Sequence, residues 1–271
     1  MTTLKGLNKA IGTTLSALDG LFPLVKGEWL AKSMVAKTVG VSFNVGNLSL
    51  IEKVQQVIAT FGRIHSQSDA DIRATIDHLK EQLKLADEAA HNTQKVASQL
   101  SVNLQPLIGH ISVLKKESSR RVDEAKKAKE EADYQVNKLQ YAIDNAGKWV
   151  APYFRPGEPH TRQLIMFPTD TTSVKERLVK MTLLRAQAVM KQASLIEESS
   201  RYNAMDTNLK GLLHADGLLN DCRALLSKSD GDIEAAIKQE KHILETGSET
   251  LRAFYMRKLS ATIEEIKGIL G

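Results

Sequence analysis

Apolar or small side chains recur at alternating steps of four and three from Ile72 to Leu114, and a chain so spaced folds as a long helix. The positions are Ile72, Ile76, Leu79, Leu83, Ala86, Ala90, Thr93, Ala97, Leu100, Leu104, Leu107, Ile111 and Leu114. Only Thr93 is polar. A helix turns about once in 3.6 residues, so these side chains share one narrow stripe that must meet another helix. The spacing predicts a protein that works through packing surfaces. It does not announce a reaction.

The same reasoning predicts a first helix over residues 3–21, with Leu4, Leu7, Ile11, Leu15, Leu18 and Phe22 on one face. Asp19-Gly20 stands near its end as a stop signal. A less regular helix is expected over 24–37, carrying Trp29, Leu30 and Met34. Val39, Val41, Phe43 and Val45 then alternate with Gly40, Ser42, Asn44 and Gly46, which is the period of a strand. Helical spacing resumes at Leu48, Ile51, Val54, Ile58 and Phe61, and residues 66–71 hold start signals for a further helix. Beyond Leu114 the seam stutters, then returns at Ala132, Val136, Leu139, Ile143, Ala146 and Val150. Pro106 removes one backbone donor, but the apolar phase continues across it, which favours a kink over a break. Unbroken, residues 69–150 would reach on the order of 120 Å at 1.5 Å per residue.

Pro152, Pro156, Pro159 and Pro168 mark residues 151–172 as a connection. Within it Leu164-Ile165-Met166-Phe167 reads as a second strand, with 39–45 as its expected partner. A two-stranded ribbon is marginal in water and must pack on something. Ser173 and Glu176 form a capping box that opens a helix running to about residue 228. Ser229-Asp230-Gly231-Asp232 is expected to turn and cap a last helix over 232–270. The fold class is therefore all-α, an elongated bundle of long antiparallel coiled helices with room for a small two-stranded β element. Four segments are expected: basic amphipathic helices and a β-like strip (1–46), the long seam helices (47–150), the proline-rich connection (151–172), and C-terminal long helices packing on 47–150 (173–271).

Charge narrows the partners. The net charge of +5 is mild for 271 residues. The lysines and arginines of 115–133 are nearly matched by Glu117, Asp123, Glu124, Glu130, Glu131 and Asp133. That run reads as a solvated helix face, because phosphate binding needs uncompensated positive charge. One cysteine, Cys222, excludes an internal disulfide and suits a small core residue among leucines. The longest uncharged run, 38–51, is too short to cross a bilayer, which takes about 20 apolar residues. No compelling signal peptide is present, so a soluble product is expected, cytoplasmic or exported by a non-Sec route and acting at a membrane.

Chemical motifs are fragments. Glu88 and His91 form half of a di-iron motif, with no second copy. Gly147-Lys148-Trp149 lacks the glycine and hydroxyl of a phosphate loop. Asp230 and Asp232 lack the remaining ligands of a calcium loop and read as helix-capping residues. The chain is read as non-enzymatic, with no cofactor, metal, nucleic acid or small-molecule substrate. What remains is surface. Trp29, Val39, Val41, Phe43, Val45, Leu164, Ile165, Met166 and Phe167 are the candidate contacts with a membrane or partner. The alternative is that they cover the end of the bundle and fill core corners.

The long seam 72–150, the later helices 174–228 and 232–270, and the strips 39–45 and 164–167 together resemble the α-helical pore-forming cytotoxins of the haemolysin E and xenorhabdolysin type. The resemblance implies soluble subunits that rearrange, insert an apolar or amphipathic element, and oligomerise into a ring. The strips here are shorter and less apolar than a self-sufficient pore former is expected to carry. The resemblance therefore implies one component of a multi-subunit toxin, with protein partners or further copies meeting its helix surfaces and lipid at a strip. The competing reading is a coiled-coil scaffold or adaptor of a phage, secretion or membrane-remodelling assembly, without insertion.

Overall fold

The computed structural model describes residues 3–155, 157–159 and 163–271. Among them the elements run α1 (Leu4–Leu21), α2 (Glu28–Ile64), α3 (Asp69–Asp144), β1 (Trp149–Val150), β2 (Ile165–Met166), α4 (Thr172–Lys210), α5 (Ala215–Thr246) and α6 (Leu251–Leu270). A single 3-10 turn, Phe22–Leu24, follows α1. The class is all-α with one small antiparallel ribbon. Residues divide into two compact units, one containing the chain up to His110 with Ala204–Gly271, the other Ile111–Asn203.

In the first unit α1 starts at Thr3, whose hydroxyl accepts the Gly6 N–H at 3.1 Å, and buries Leu4, Leu7, Ile11, Leu18 and Leu21. The seam of α3 is buried from Ile72 through Leu107, as its spacing demands. It is helical without a gap through Pro106. Antiparallel register with α5 is marked by Lys80–Glu234 (3.1 Å), Asp87–Arg223 (3.3 Å) and a Gln94–Asn220 hydrogen bond (2.6 Å). These partners are half-exposed and hold each other weakly; they choose the register while the leucines supply the energy.

The strand expected over 39–45 is a stretch of α2. Its buried face is Ser33, Ala36, Gly40, Phe43, Asn47, Leu50, Val54 and Val57, spaced by threes and fours. Three of the first five are polar or glycine, which hid the helical period behind the valines at alternate positions. Each polar member has a partner: Ser33 donates to the Trp29 carbonyl (2.7 Å) and Asn47 to the Leu4 carbonyl (3.2 Å). Gly40 lets α1 come close, since a Cβ there would stand 2.8 Å from Leu15 Cδ2.

The later helix breaks also moved. Residues 229–232 are interior to α5, and the breaks fall at residues 211–214 and 247–250. Ser229 donates back to the Leu225 carbonyl (2.7 Å), while Asp232 accepts from Thr262 of α6 (2.7 Å). Polar groups that suggested a turn are thus satisfied by the helix and its neighbour. Gly247 ends α5 in the left-handed region (φ 59°), where its missing Cβ removes the steric cost, and Thr250 caps α6 through the Ala253 N–H.

In the second unit Ala125, Ala132 and Leu139 of α3 and Leu195 of α4 are buried. Arg121–Glu198 (3.3 Å) and an Asp133–Arg185 pair set their antiparallel register. The first turn of α4 is served by Asp170, which accepts the Thr172 N–H (2.9 Å), so the helix begins one residue before the expected Ser173 cap.

Candidate membrane and partner surface

α3 stops because Asn145 folds back, its side-chain amide donating to the Tyr141 carbonyl (2.9 Å), and Gly147 takes φ 73°. The chain can then double back. Gly147 donates to the Phe167 carbonyl (3.0 Å) and Phe167 to the Lys148 carbonyl (3.2 Å). Beyond these bonds Trp149 faces Met166 and Val150 faces Ile165 in antiparallel register. Pro168 has no N–H, which ends the ladder after two residues.

So short a ribbon needs an anchor, and aromatic side chains supply it. Phe167 packs edge-on against Tyr141 (centroids 5.9 Å apart), Tyr153 lies 5.5 Å from Tyr141 and 5.7 Å from Tyr134. The Tyr141 hydroxyl donates to the Ala151 carbonyl (3.0 Å). Aromatic pairs of this kind are worth roughly 0.5–1.5 kcal/mol each beyond buried area. The ribbon is held on α3 while its outer residues stay in water: Trp149 is 65% exposed, Leu164 55%, Met166 54% and Ile165 39%.

The structure brings Leu164, Ile165, Met166 and Phe167 together with Trp149. Phe167 is the inward member of its strip, half-buried on Tyr141. The second strand pairs with β1 rather than with 39–45, because those residues belong to α2 in the first unit. There Phe43 is buried in the core, Val39 is half-buried, and Val41 and Val45 are exposed. Trp29 lies flat on His110, ring centroids 4.1 Å apart and 6° from parallel, with Lys32 Nζ 4.5 Å from its centroid.

Sequence reasoning missed two features. Trp149 was absorbed into a failed phosphate-loop comparison. On α4, Val179, Leu183, Ala186 and Met190 repeat at four, three, four on a face where all are exposed, Val179 at 70%. They alternate with the half-buried Leu178, Met181 and Ala188. Thus α4 carries two apolar stripes where one was sought. Met34, Val41, Val45 and Leu48 make a similar exposed stripe on α2, opposite its buried face. The signal was available as a second four-three register on each helix.

Glu88 and His91 are both solvent-exposed, and among the described residues no group of three His, Cys, Asp or Glu is placed to hold a metal ion. No helix among them is long and apolar enough to cross a membrane.

The fold and surface define a helical-bundle protein that displays apolar side chains on a docked ribbon and along helix faces. No family model matches the sequence, and no curated protein does. Among solved structures the chain is similar to the soluble AhlC of the tripartite α-pore-forming toxin AHL from Aeromonas hydrophila, at 10% identity and a TM-score of 0.46, over 98% of this chain and 97% of that one. It is also similar to XaxB from Xenorhabdus (11% identity, TM-score 0.38, 98% and 96% covered). A third is the SmhB pore of the tripartite α-pore-forming toxin Smh from Serratia marcescens (10%, 0.35, 100% and 97%).

Proposed function

We propose that this chain is a non-enzymatic component of a multi-subunit α-helical pore-forming toxin, meeting lipid through its ribbon and other subunits through its uncovered helix stripes. The observation that carries the reading is the ribbon itself. A hydrogen-bonded, aromatic-anchored element presents Trp149, Leu164, Ile165 and Met166 to water, although folding could have turned them inward. Exposed apolar clusters of this kind mark interaction surfaces.

Magnitudes favour assembly over a solitary action. Burying four side chains that are already partly covered contributes roughly 1 kcal/mol each, so one copy binds lipid only weakly and reversibly. Linking several copies multiplies that affinity without new contacts. The stripe on α4 and the stripe on α2 have the four-three spacing that packs against another helix. Those two stripes are also what a protein-only scaffold would display, and the ribbon is what separates the readings.

The test is co-sedimentation with liposomes at low and high salt, comparing the native chain with Ile165→Asp/Met166→Asp. Apolar insertion gives binding that survives about 0.5 M salt, where exposed charges are screened within a few ångströms. The double variant should lose that binding with its helix content unchanged by circular dichroism. Undiminished binding by the variant overturns the ribbon as the lipid contact, and no binding by the native chain supports the scaffold instead.

A further inference from the structure

Beside the ribbon, α3 and the segment after β1 enclose an open groove of about 690 Å³ to which Lys127, Glu130, Glu131, Tyr134, Tyr153 and Arg155 contribute. Tyr134 and Tyr153 stand with ring planes 36° apart, so their faces form an angled corner. The chain's own cation lies over the Tyr134 side of it. The Arg155 guanidinium carbon lies 4.4 Å from the Tyr134 centroid, and its nitrogen pairs with Glu131. Lys138 Nζ approaches the same ring at 5.8 Å. Two of the chain's own cations thus approach this one ring.

Arg155 is a replaceable occupant. Its side chain is 44% exposed and that of Glu131 48%, and exposed pairs of this kind hold each other weakly. An aromatic corner backed by carboxylates favours a cation without N–H donors, since a quaternary ammonium gives up little hydration on entering. The groove also holds Lys127 and Arg155, so both signs of charge meet a ligand. A simple anion would face Glu130 and Glu131; a zwitterion meets complementary groups at both ends. Tyr153 also meets Tyr141, on which Phe167 packs, so the aromatic end of the groove adjoins the anchor of the ribbon.

We propose that this groove binds the phosphocholine headgroup of a membrane lipid, the trimethylammonium displacing Arg155 from Tyr134, and the phosphate taken by the freed Arg155 and by Lys127. The inference rests on the membrane reading above and names the lipid that reading leaves open. Vesicles of phosphatidylcholine and of phosphatidylethanolamine, matched in acyl chains, provide the test. The native chain should bind the first about tenfold more tightly. Tyr134→Leu should erase the preference while ribbon-dependent binding persists, and Tyr134→Phe, which keeps the π face, should retain it. Equal binding to both vesicles, or a preference that survives Tyr134→Leu with circular dichroism unchanged, overturns the headgroup site and leaves the membrane reading standing. If the native chain binds neither vesicle the membrane reading fails, and free phosphocholine titrated calorimetrically decides the groove. Saturable binding lost in Tyr134→Leu supports it, and no heat overturns it.

Discussion

The hydroxyl of Tyr255 donates to the carboxylate of Glu240 at 2.8 Å, inside the interface of α5 and α6. The second Glu240 oxygen pairs with Arg73 of α3, so one buried carboxylate joins three helices. Burial, with the hydrogen bond and charge of Glu240 behind it, raises the Tyr255 pKa well above the ordinary phenol value. The folded chain thus holds the phenol proton more tightly than the unfolded chain. Stability from this group is complete below pH 10 and declines as pH climbs above it. Tyr255→Phe should lower stability by about 1–2 kcal/mol at pH 7. Urea midpoints followed from pH 8 to 11 should fall less steeply for the variant than for the native chain.

Burial depresses the pKa of His110, whose ring lies flat on Trp29. The folded state therefore favours the neutral imidazole. This contribution is present above the unfolded value near 6.5 and is lost as pH falls through the lower folded value. Melting temperature should drop between pH 7.5 and 5, and the drop should shrink in His110→Gln. Trp29 fluorescence, read in a Trp149→Phe background, reports the same contact directly.

Burial pushes the Cys222 thiol up to about 12. At pH 8 only about one thiol in ten thousand is then ionised, and the thiolate is the reactive form. Ellman's reagent should leave the native chain unlabelled over hours and label one thiol at once in urea. Rapid labelling of the native chain would show that α5 opens locally.

Two glycines should respond in opposite directions. Gly40→Val drives side-chain atoms toward Leu15 across the α1–α2 contact and should destabilise by about 1–3 kcal/mol. Gly231→Ala adds a methyl where no atom lies within 4 Å, in the interior of α5, and should stabilise by about 0.5–1 kcal/mol. Denaturant melts of both variants check the helical assignment of residues 33–50 and 229–232.

The long seam on α3 was legible because nearly every buried position is apolar, so periodicity alone exposes the face that packs. The anchored strip 164–167 was legible too, since prolines on both sides leave it no helical option. Residues 39–45 misled for a physical reason. Valines at alternate positions mimic a strand, while the face that packs is built from Ser33, Gly40 and Asn47, residues whose burial depends on a neighbouring helix coming close enough to use them. Likewise Ser229 to Asp232 carry turn chemistry that Thr262, thirty positions and more downstream, helps to absorb into a helix. The amino-acid order by itself determined that long helices would form and where their strongest stripe lies. Only tertiary contact decided which side chains remain outside: Phe43 enclosed, Trp149 and Met166 in water, and the second stripe of α4 left uncovered. Local periodicity records what a segment can bury, and the positions of its neighbours select which face it does bury.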